Sequence, residues 1–147
     1  MARAIIAVIV SYIVMFILVF LTFTCMYLIL GADMAFKPAS YDASNLWLAI
    51  AFAVNFVIAI VGGLICVAIA KGGRAHIVLA VVVFVLGLLL AIPSIMAQKA
   101  NPNMVRTGNV SNMEAMQRAK EPIWAPLLFP FIGAAGVLIG GKLRRRG

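Results

Sequence analysis

The stretch IVLAVVVFVLGLLL, Ile77–Leu90, decides the fold of this chain because it is apolar at every position. It is the centre of a longer segment, residues 75–97, that contains no Asp, Glu, Lys or Arg. A bilayer core of ~30 Å is crossed by about 20 helical residues, so this segment is long enough to span a membrane. A strand of a membrane barrel would show alternating polarity instead. The sequence therefore predicts a membrane-spanning helix, which satisfies its own backbone hydrogen bonds in hydrocarbon.

Three further segments share this composition and predict three more spans. They are residues 4–30, 46–70 and 123–141, and none contains an acidic or basic residue. The chain is 65% hydrophobic, whereas a soluble domain is about half apolar. The apolar stretch of the first span is too long for a signal peptide, so we expect it to be retained as an anchor. We predict an all-α integral membrane protein with a single domain over residues 1–147, a four-transmembrane-helix antiparallel bundle.

The charged residues all lie between or outside the predicted spans, and their distribution predicts an orientation. One side of the bundle carries seven basic residues and no acid: Arg3, Lys71, Arg74, Lys142, Arg144, Arg145 and Arg146. The other side carries five basic and four acidic residues, so the net charges are +7 and +1. The positive-inside rule places both termini in the cytoplasm, in what we expect to be a bacterial inner membrane. Arg144–Arg146 should contact lipid headgroups rather than nucleic acid.

The connections predict two outer loops and one inner turn. Residues 31–45 form the first outer loop, and the tight inner turn 71–74 should make spans 2 and 3 an antiparallel hairpin. In the second outer loop, Ser111 and Glu114 match a capping box, in which their side chains bond reciprocal backbone N–H groups. A short amphipathic helix, about Asn112–Lys120, should follow and lie on the membrane surface or on a partner. Its apolar face is predicted to carry Met113, Met116 and Ala119.

Small residues mark the faces on which helices pack closely in lipid. Gly136 and Gly140 form a GxxxG pair in the fourth span. Spans 2, 3 and 4 carry further candidates: Ala59, Gly63, Gly87, Ala91 and Gly133. Two uses are open for these faces, namely packing inside the bundle and docking of the fourth span onto another subunit.

Prolines and one amide are the remaining unusual features of the spans. Pro93, Pro126 and Pro130 are predicted to kink their helices, because each removes a backbone donor and frees a carbonyl one turn earlier. In the fourth span these freed carbonyls should belong to Pro122 and Pro126. Asn55 cannot satisfy its amide within its own helix, so we expect an interhelical hydrogen bond. A substrate contact is the alternative role for Asn55.

The sequence offers little chemistry for catalysis or for metal binding. His76 is the single histidine, and one His cannot form a tetrahedral metal site, although it could be an axial ligand of a haem or chlorophyll. Cys25 and Cys66 are expected to be small buried hydrophobic residues. Glu114 and Glu121 are expected to be solvated, and no nucleophile–base pair can be assembled in one region. We therefore predict no enzyme activity, no cofactor and no metal.

The leading functional hypothesis is a non-catalytic accessory or scaffold subunit of a larger membrane protein complex. Its expected partners are other membrane protein subunits and lipids, and not nucleic acid. The alternative is a small oligomeric transporter or channel for a neutral or lipophilic solute, passing Asn55, Tyr12 and the carbonyls freed by proline. A lipid-binding membrane organiser that uses the outer Met-rich helix is a third possibility.

Overall fold

The computed structural model describes residues 2–100 and 104–146, without the side chains of residues 145 and 146. The described residues form five helices: α1 Ala2–Ala35, α2 Asn45–Ala70, α3 Ala75–Ala100, α4 Asn112–Arg118 and α5 Trp124–Arg146. Four of them, α1, α2, α3 and α5, are long and apolar enough to cross a membrane. The prediction of four apolar helices is confirmed, and the chain is an integral membrane protein by this measure.

Helix α1 is interrupted at its far end by Gly31. This residue has φ 74° and ψ 174°, a conformation that glycine adopts without the penalty of a side chain. The straight apolar part of α1 therefore ends at Leu30, as predicted, and residues 32–35 begin the first connection. That connection ends at Ser44, the N-cap of α2, whose Oγ accepts a hydrogen bond from the Trp47 N–H at 3.0 Å.

The order of the helices in space differs from their order in the chain because α5 lies between α2 and α3. Helix α2 packs mainly against α1 and α5, and α3 packs mainly against α5, whereas α2 and α3 touch each other sparsely. The predicted α2–α3 hairpin is therefore opened by the last helix, although the tight turn at 71–74 is present. Helix α5 fits this position because it presents small residues in both directions, Gly136 towards α2 and Gly133 towards α3.

Contacts along these helices give their relative directions. Gly63 of α2 lies against Val137 and Gly141 of α5, and Gly136 lies against Ala59, so α2 and α5 run parallel. Helix α3 runs antiparallel to α5, and α1 runs antiparallel to α2. The start of α1, the end of α5 and the turn at 71–74 therefore lie at one end of the bundle, here called the basic end. The other end is called the cap end.

The cap end is covered by a packed layer, the cap, formed by residues 32–44 and 104–121. Isolated β-bridges join the two segments, antiparallel between Ser40 and Val105 and parallel between Asp42 and Lys120. Tyr41 is only 2% exposed and lies in an aromatic cluster with Phe36 and Tyr27. The two connections that the sequence presented as separate outer loops thus form one structure.

Polar contacts tie the cap to itself and to α1. The Tyr27 hydroxyl donates to the Val110 carbonyl at 2.8 Å. Arg106 is buried and donates to Asp33 at 2.9 Å and to the Gly108 carbonyl at 2.7 Å. Because Tyr27 lies in the last turns of α1 before Gly31 and Asp33 lies just after it, these bonds hold the third connection over the end of that helix.

Helix α4 forms where a helix was predicted and ends at Arg118, two residues earlier than expected. The Ser111 Oγ accepts from the Glu114 N–H at 3.2 Å, which is one half of the predicted capping box. The Glu114 carboxylate accepts a hydrogen bond from the Tyr41 hydroxyl at 2.9 Å and pairs with Arg118 at 3.2 Å. Glu114 is therefore a cap contact, although its side chain remains 37% exposed.

Candidate functional site

A cavity of about 600 Å³ lies inside the bundle between α1, α3 and α5. One face of α1 lines it at intervals of three and four residues, including Tyr12, Phe16, Val19, Phe20, Phe23 and Tyr27. From Tyr12 to Tyr27 this face is roughly 22 Å long at the α-helical rise. The volume lies within the usual range of small-molecule sites, and the shape is that of an elongated ligand.

The cavity exists because α1 approaches only one of the other helices closely. Helix α1 packs along α2, touches α3 sparsely and makes no close backbone contact with α5 in the described residues. Bulky aromatic side chains, Phe16, Phe20 and Phe23, occupy its free face, where a glycine would have allowed a closer approach. These rings separate α1 from α3 and line the space between them.

The cavity opens sideways, towards the surface that would face lipid. Beside the gap between α1 and α3, three of its lining side chains are also exposed: Phe16 at 68%, Phe20 at 47% and Leu90 at 65%. They lie on α1 and α3, on either side of the gap between these helices. Because both helices are apolar at this level, the opening faces hydrocarbon rather than water in a membrane.

Helix α4 and the following residues close the cavity at the cap end. Asn112, Ala115, Met116 and Ala119 line it at helical spacing and form its roof. The apolar face predicted for this helix included Met113, which instead points away and is exposed, whereas Ala115 is buried. Two of the three predicted residues, Met116 and Ala119, thus line the cavity, and Ala115 rather than Met113 completes this face.

Asn55 of α2 lines the cavity at the level of the bundle core. Within the described residues no group donates to or accepts from its side-chain amide, so the expected interhelical hydrogen bond is not formed. An amide at this depth that lacks a protein partner is costly in hydrocarbon. The placement of Asn55 and Tyr12 on the cavity wall therefore agrees with the alternative of a ligand contact.

The cap end of the cavity is more polar than its middle. The Asn112 Nδ2 donates weakly to the Thr24 Oγ1 at 3.4 Å, so these two side chains are engaged with each other. Glu121 also lines the cavity and makes no hydrogen bond or ion pair with any described residue. Burial raises the pKa of the Glu121 carboxyl above its ordinary value. Glu121 is half-buried at the cavity wall, so it is less solvated than expected.

The small residues singled out from the sequence all lie inside the bundle. Gly136 and Gly140 contact α2 at Ala59 and Ile60, and Gly63 contacts the α5 backbone. On the other side of α5, Gly133 lies against Val83, and Gly87 lies against Pro130. Ala59 and Ala91 are buried. These faces therefore serve contacts within the chain.

The three prolines occupy different environments. Helix α5 begins at Trp124, so Pro126 lies in its first turn, where the missing N–H has no intrahelical acceptor to lose. The Pro122 carbonyl, expected to be free, accepts from the Ala125 N–H at 2.8 Å. Pro130 lies inside α5 and lines the cavity, and Pro93 lies inside α3 at the surface.

The remaining candidates lie towards the basic end or on the outside. His76 is buried against Gly141, so a macrocycle would have to displace α5 to reach its ring. Cys66 is buried as expected, whereas Cys25 is exposed on α1. Arg144 is exposed, and the side chains of Arg145 and Arg146 lie outside the described residues. No group of His, Cys, Asp and Glu in the described chain could hold a metal ion.

Sequence reasoning missed the cavity roof and the position of Glu121. One signal was present, because Asn112, Ala115, Met116 and Ala119 follow helical spacing directly before Glu121. The aromatic face of α1 was a second signal, since Phe16, Phe20, Phe23 and Tyr27 recur every three or four residues. Comparison of the chain with protein-family models, with curated proteins and with solved structures finds no match.

Proposed function

We propose that this protein binds one lipophilic molecule of the bilayer in the cavity between α1, α3 and α5. The observation that carries the proposal is the combination of an elongated space of about 600 Å³ with a lateral opening between two apolar helices. A molecule dissolved in the membrane can enter through this opening without crossing water. The aromatic wall of α1 provides the apolar contacts, and Tyr12 and Asn55 provide hydrogen-bonding groups for a polar atom.

The closed cap favours a binding or carrier function over a continuous channel. The cap is held by paired backbone and by the Tyr41–Glu114 and Arg106–Asp33 contacts, so it blocks the end of the cavity. Exchange of the ligand is therefore lateral. We further propose that the basic end is cytoplasmic, because its net charge of +7 satisfies the positive-inside rule. The cap and the polar end of the cavity would then lie at the outer surface.

The accessory-subunit hypothesis remains a prediction, but its original support is weaker. One observation behind it was the set of small-residue faces available for another protein, and Gly136, Gly140 and Gly63 are all used within the bundle. A subunit that presents a bound lipid to a partner complex would combine the accessory-subunit hypothesis with the proposed ligand site. The ligand site is the more specific proposal because it depends on a defined space.

The proposal is tested by filling the cavity and measuring the bound ligand. The wild-type protein, purified in a mild detergent, should retain about one lipophilic molecule per chain by native mass spectrometry. Val19→Trp places a large ring into the cavity wall and should abolish this retention. Ile17→Trp is the matched control, because Ile17 lies on the same helix, is 48% exposed and does not line the cavity. Equal retention in all three proteins would contradict the proposal.

A further inference from the structure

Glu121 is held in a fixed position at the polar end of the cavity. On one side, the Lys120 N–H donates to the Tyr41 carbonyl at 2.8 Å, and the Lys120 carbonyl accepts from Ala43 at 2.7 Å. On the other side, the Pro122 carbonyl accepts from Ala125 at 2.8 Å. The backbone is therefore anchored on both sides of Glu121, and its side chain lines the cavity. The carboxylate is half-buried and starts from a backbone position fixed beside the cavity.

The cations of the cap that form ion pairs have other partners. Arg118 pairs with Glu114 at 3.2 Å, and Arg106 pairs with Asp33 at 2.9 Å. Thr24 and Asn112, which lie at the same end of the cavity, bond each other. Among the described residues, Glu121 is thus the charged group of the cavity wall that no protein group neutralises. Its raised pKa agrees with this, because burial is its only cause and no neighbouring cation opposes it.

We infer that Glu121 binds the ammonium head of a long-chain amine whose hydrocarbon body lies along the aromatic face of α1. This inference rests on the proposed lipophilic site and names the class of its ligand. An ionised carboxylate only accepts hydrogen bonds, so it selects a ligand that donates them. An ammonium group offers three donors and the opposite charge, and such charge-assisted bonds are about twice as strong as neutral ones.

Other headgroups fit this end of the cavity less well. A fatty acid would bring a second carboxylate next to Glu121, and like charges in one site disfavour each other. A phosphate headgroup would likewise place a negative charge next to Glu121. A long-chain alcohol can donate one hydrogen bond without charge, so it binds by its chain and gains less from Glu121. The ammonium headgroup is therefore favoured twice, by its charge opposite to that of Glu121 and by its larger number of hydrogen-bond donors.

Three probes of equal chain length test the inference in the full-length protein in neutral phosphatidylcholine nanodiscs at pH 7.5. Dodecylamine, dodecanol and dodecanoate are titrated against wild type by displacement of a fluorescent dodecyl probe. Dodecylamine should bind about tenfold more tightly than dodecanol, as expected for a hydrogen bond to a charged group. Dodecanoate should bind more weakly than dodecanol.

Two variants assign the preference to one residue. Glu121→Gln should lose the preference for dodecylamine while binding dodecanol as wild type does, which also shows that the variant is folded. Asp42→Asn is the matched control, since Asp42 lies in the cap, is exposed and does not line the cavity, and it should keep the preference. Equal binding of amine and alcohol by wild type, or a preference that survives Glu121→Gln, would overturn the inference and leave the lipophilic site intact. Failure of all three probes to bind would overturn the site itself.

Discussion

The contact between α2 and α5 and the gap between α1 and α3 are built from equally apolar sequences, yet they have opposite geometries. At the first, Gly63, Gly136 and Gly140 bring two helices together until backbone meets backbone. At the second, Phe16 and Leu90 stand exposed on either side of an open space. Hydrophobicity cannot explain the difference, because lipid is as apolar as these side chains and does not drive helices together.

The difference shows that side-chain size decides where the helices of this bundle pack closely and where they leave a cavity. Glycine allows close approach and many dispersion contacts, so α2 and α5 pack tightly against each other. Aromatic rings on α1 prevent a similar approach to α3. The cap then holds the end of α1 in place, and the interior between α1 and α3 remains available to a ligand.

The largest effect is expected from breaking the close contact. Gly63→Ala and Gly140→Ala would each place a methyl group against backbone atoms of the facing helix, which cannot rotate away. Each should destabilise the bundle by roughly 1–3 kcal/mol, as overpacking of a tight interface does. Resistance to unfolding by SDS, followed by circular dichroism, measures this loss.

Gly62→Ala is the control for this prediction. The added methyl group at Gly62 would meet the side chain of Met15, which is flexible and can shift. This variant should therefore lose clearly less stability than the other two. A similar loss at all three glycines would mean that the close backbone approach is not what stabilises α2 against α5.

The next largest loss of stability is expected in the cap, which holds α1 beside the gap between α1 and α3. Arg106→Met removes the bonds to Asp33 and Gly108 and should cost about 1.5–3 kcal/mol, the usual range for hydrogen bonds to a charged group. Asp33→Asn should cost less, because the Asp33 side chain is 83% exposed and its pair is partly screened by water. Limited proteolysis of the cap reports both changes. Equal cleavage of Arg106→Met and wild type would show that Arg106 does not hold the cap.

A smaller effect is expected at Asn55, on the cavity wall. Asn55→Leu removes an amide that has no partner in the described chain, so the ligand-free protein should gain up to about 1 kcal/mol of stability. Binding of a ligand that contacts the amide should weaken several-fold in the same variant. Thermal unfolding in detergent measures the first change. A loss of stability would instead support the interhelical hydrogen bond predicted from the sequence.

The smallest effect is a pH dependence from Glu121 in the ligand-free protein. Burial raises its pKa in the folded state above the ordinary value of 4.5, so the folded protein holds this proton more tightly than the unfolded chain. The contribution is fully present below pH 4.5 and is lost as the pH rises through the folded-state pKa. Glu121→Gln should therefore raise the unfolding temperature at pH 8 and not at pH 4. A difference that is the same at both pH values would contradict this assignment.

The sequence was sufficient to predict the membrane-spanning helices, but it was not sufficient to predict which helices pack against each other. Length and absence of charge predict α1, α2, α3 and α5, because crossing hydrocarbon imposes both. The position of α5 between α2 and α3 depends on which side of each helix carries glycine, and short connections make adjacent spans the obvious pairs. For the GxxxG pair the sequence left two uses open, and its contacts with Ala59 and Ile60 could be assigned only from the fold.

Individual residues of the candidate site could be recognised from the sequence, but their meeting in one cavity could not. Asn55 and Tyr12 were recognised as unusual polar residues, and their common cavity follows only when α1 and α2 are packed. Glu121 precedes α5 by three residues and looks like an ordinary loop carboxylate. Its burial results from the pairing of Asp42 with Lys120, a contact between two loops that are distant in the chain. Such pairing has no periodic signature in sequence.

The position of α5 has a consequence for how the protein is made. This helix is synthesised after α2 and α3, yet it supplies the surface on which both of them pack. During translation these earlier helices therefore enter the bilayer with glycine faces that have no counterpart. Assembly of the bundle must await α5, and a chain that stops before Trp124 would leave Gly63 and Gly87 facing lipid, open to chaperones, proteases or the wrong helix.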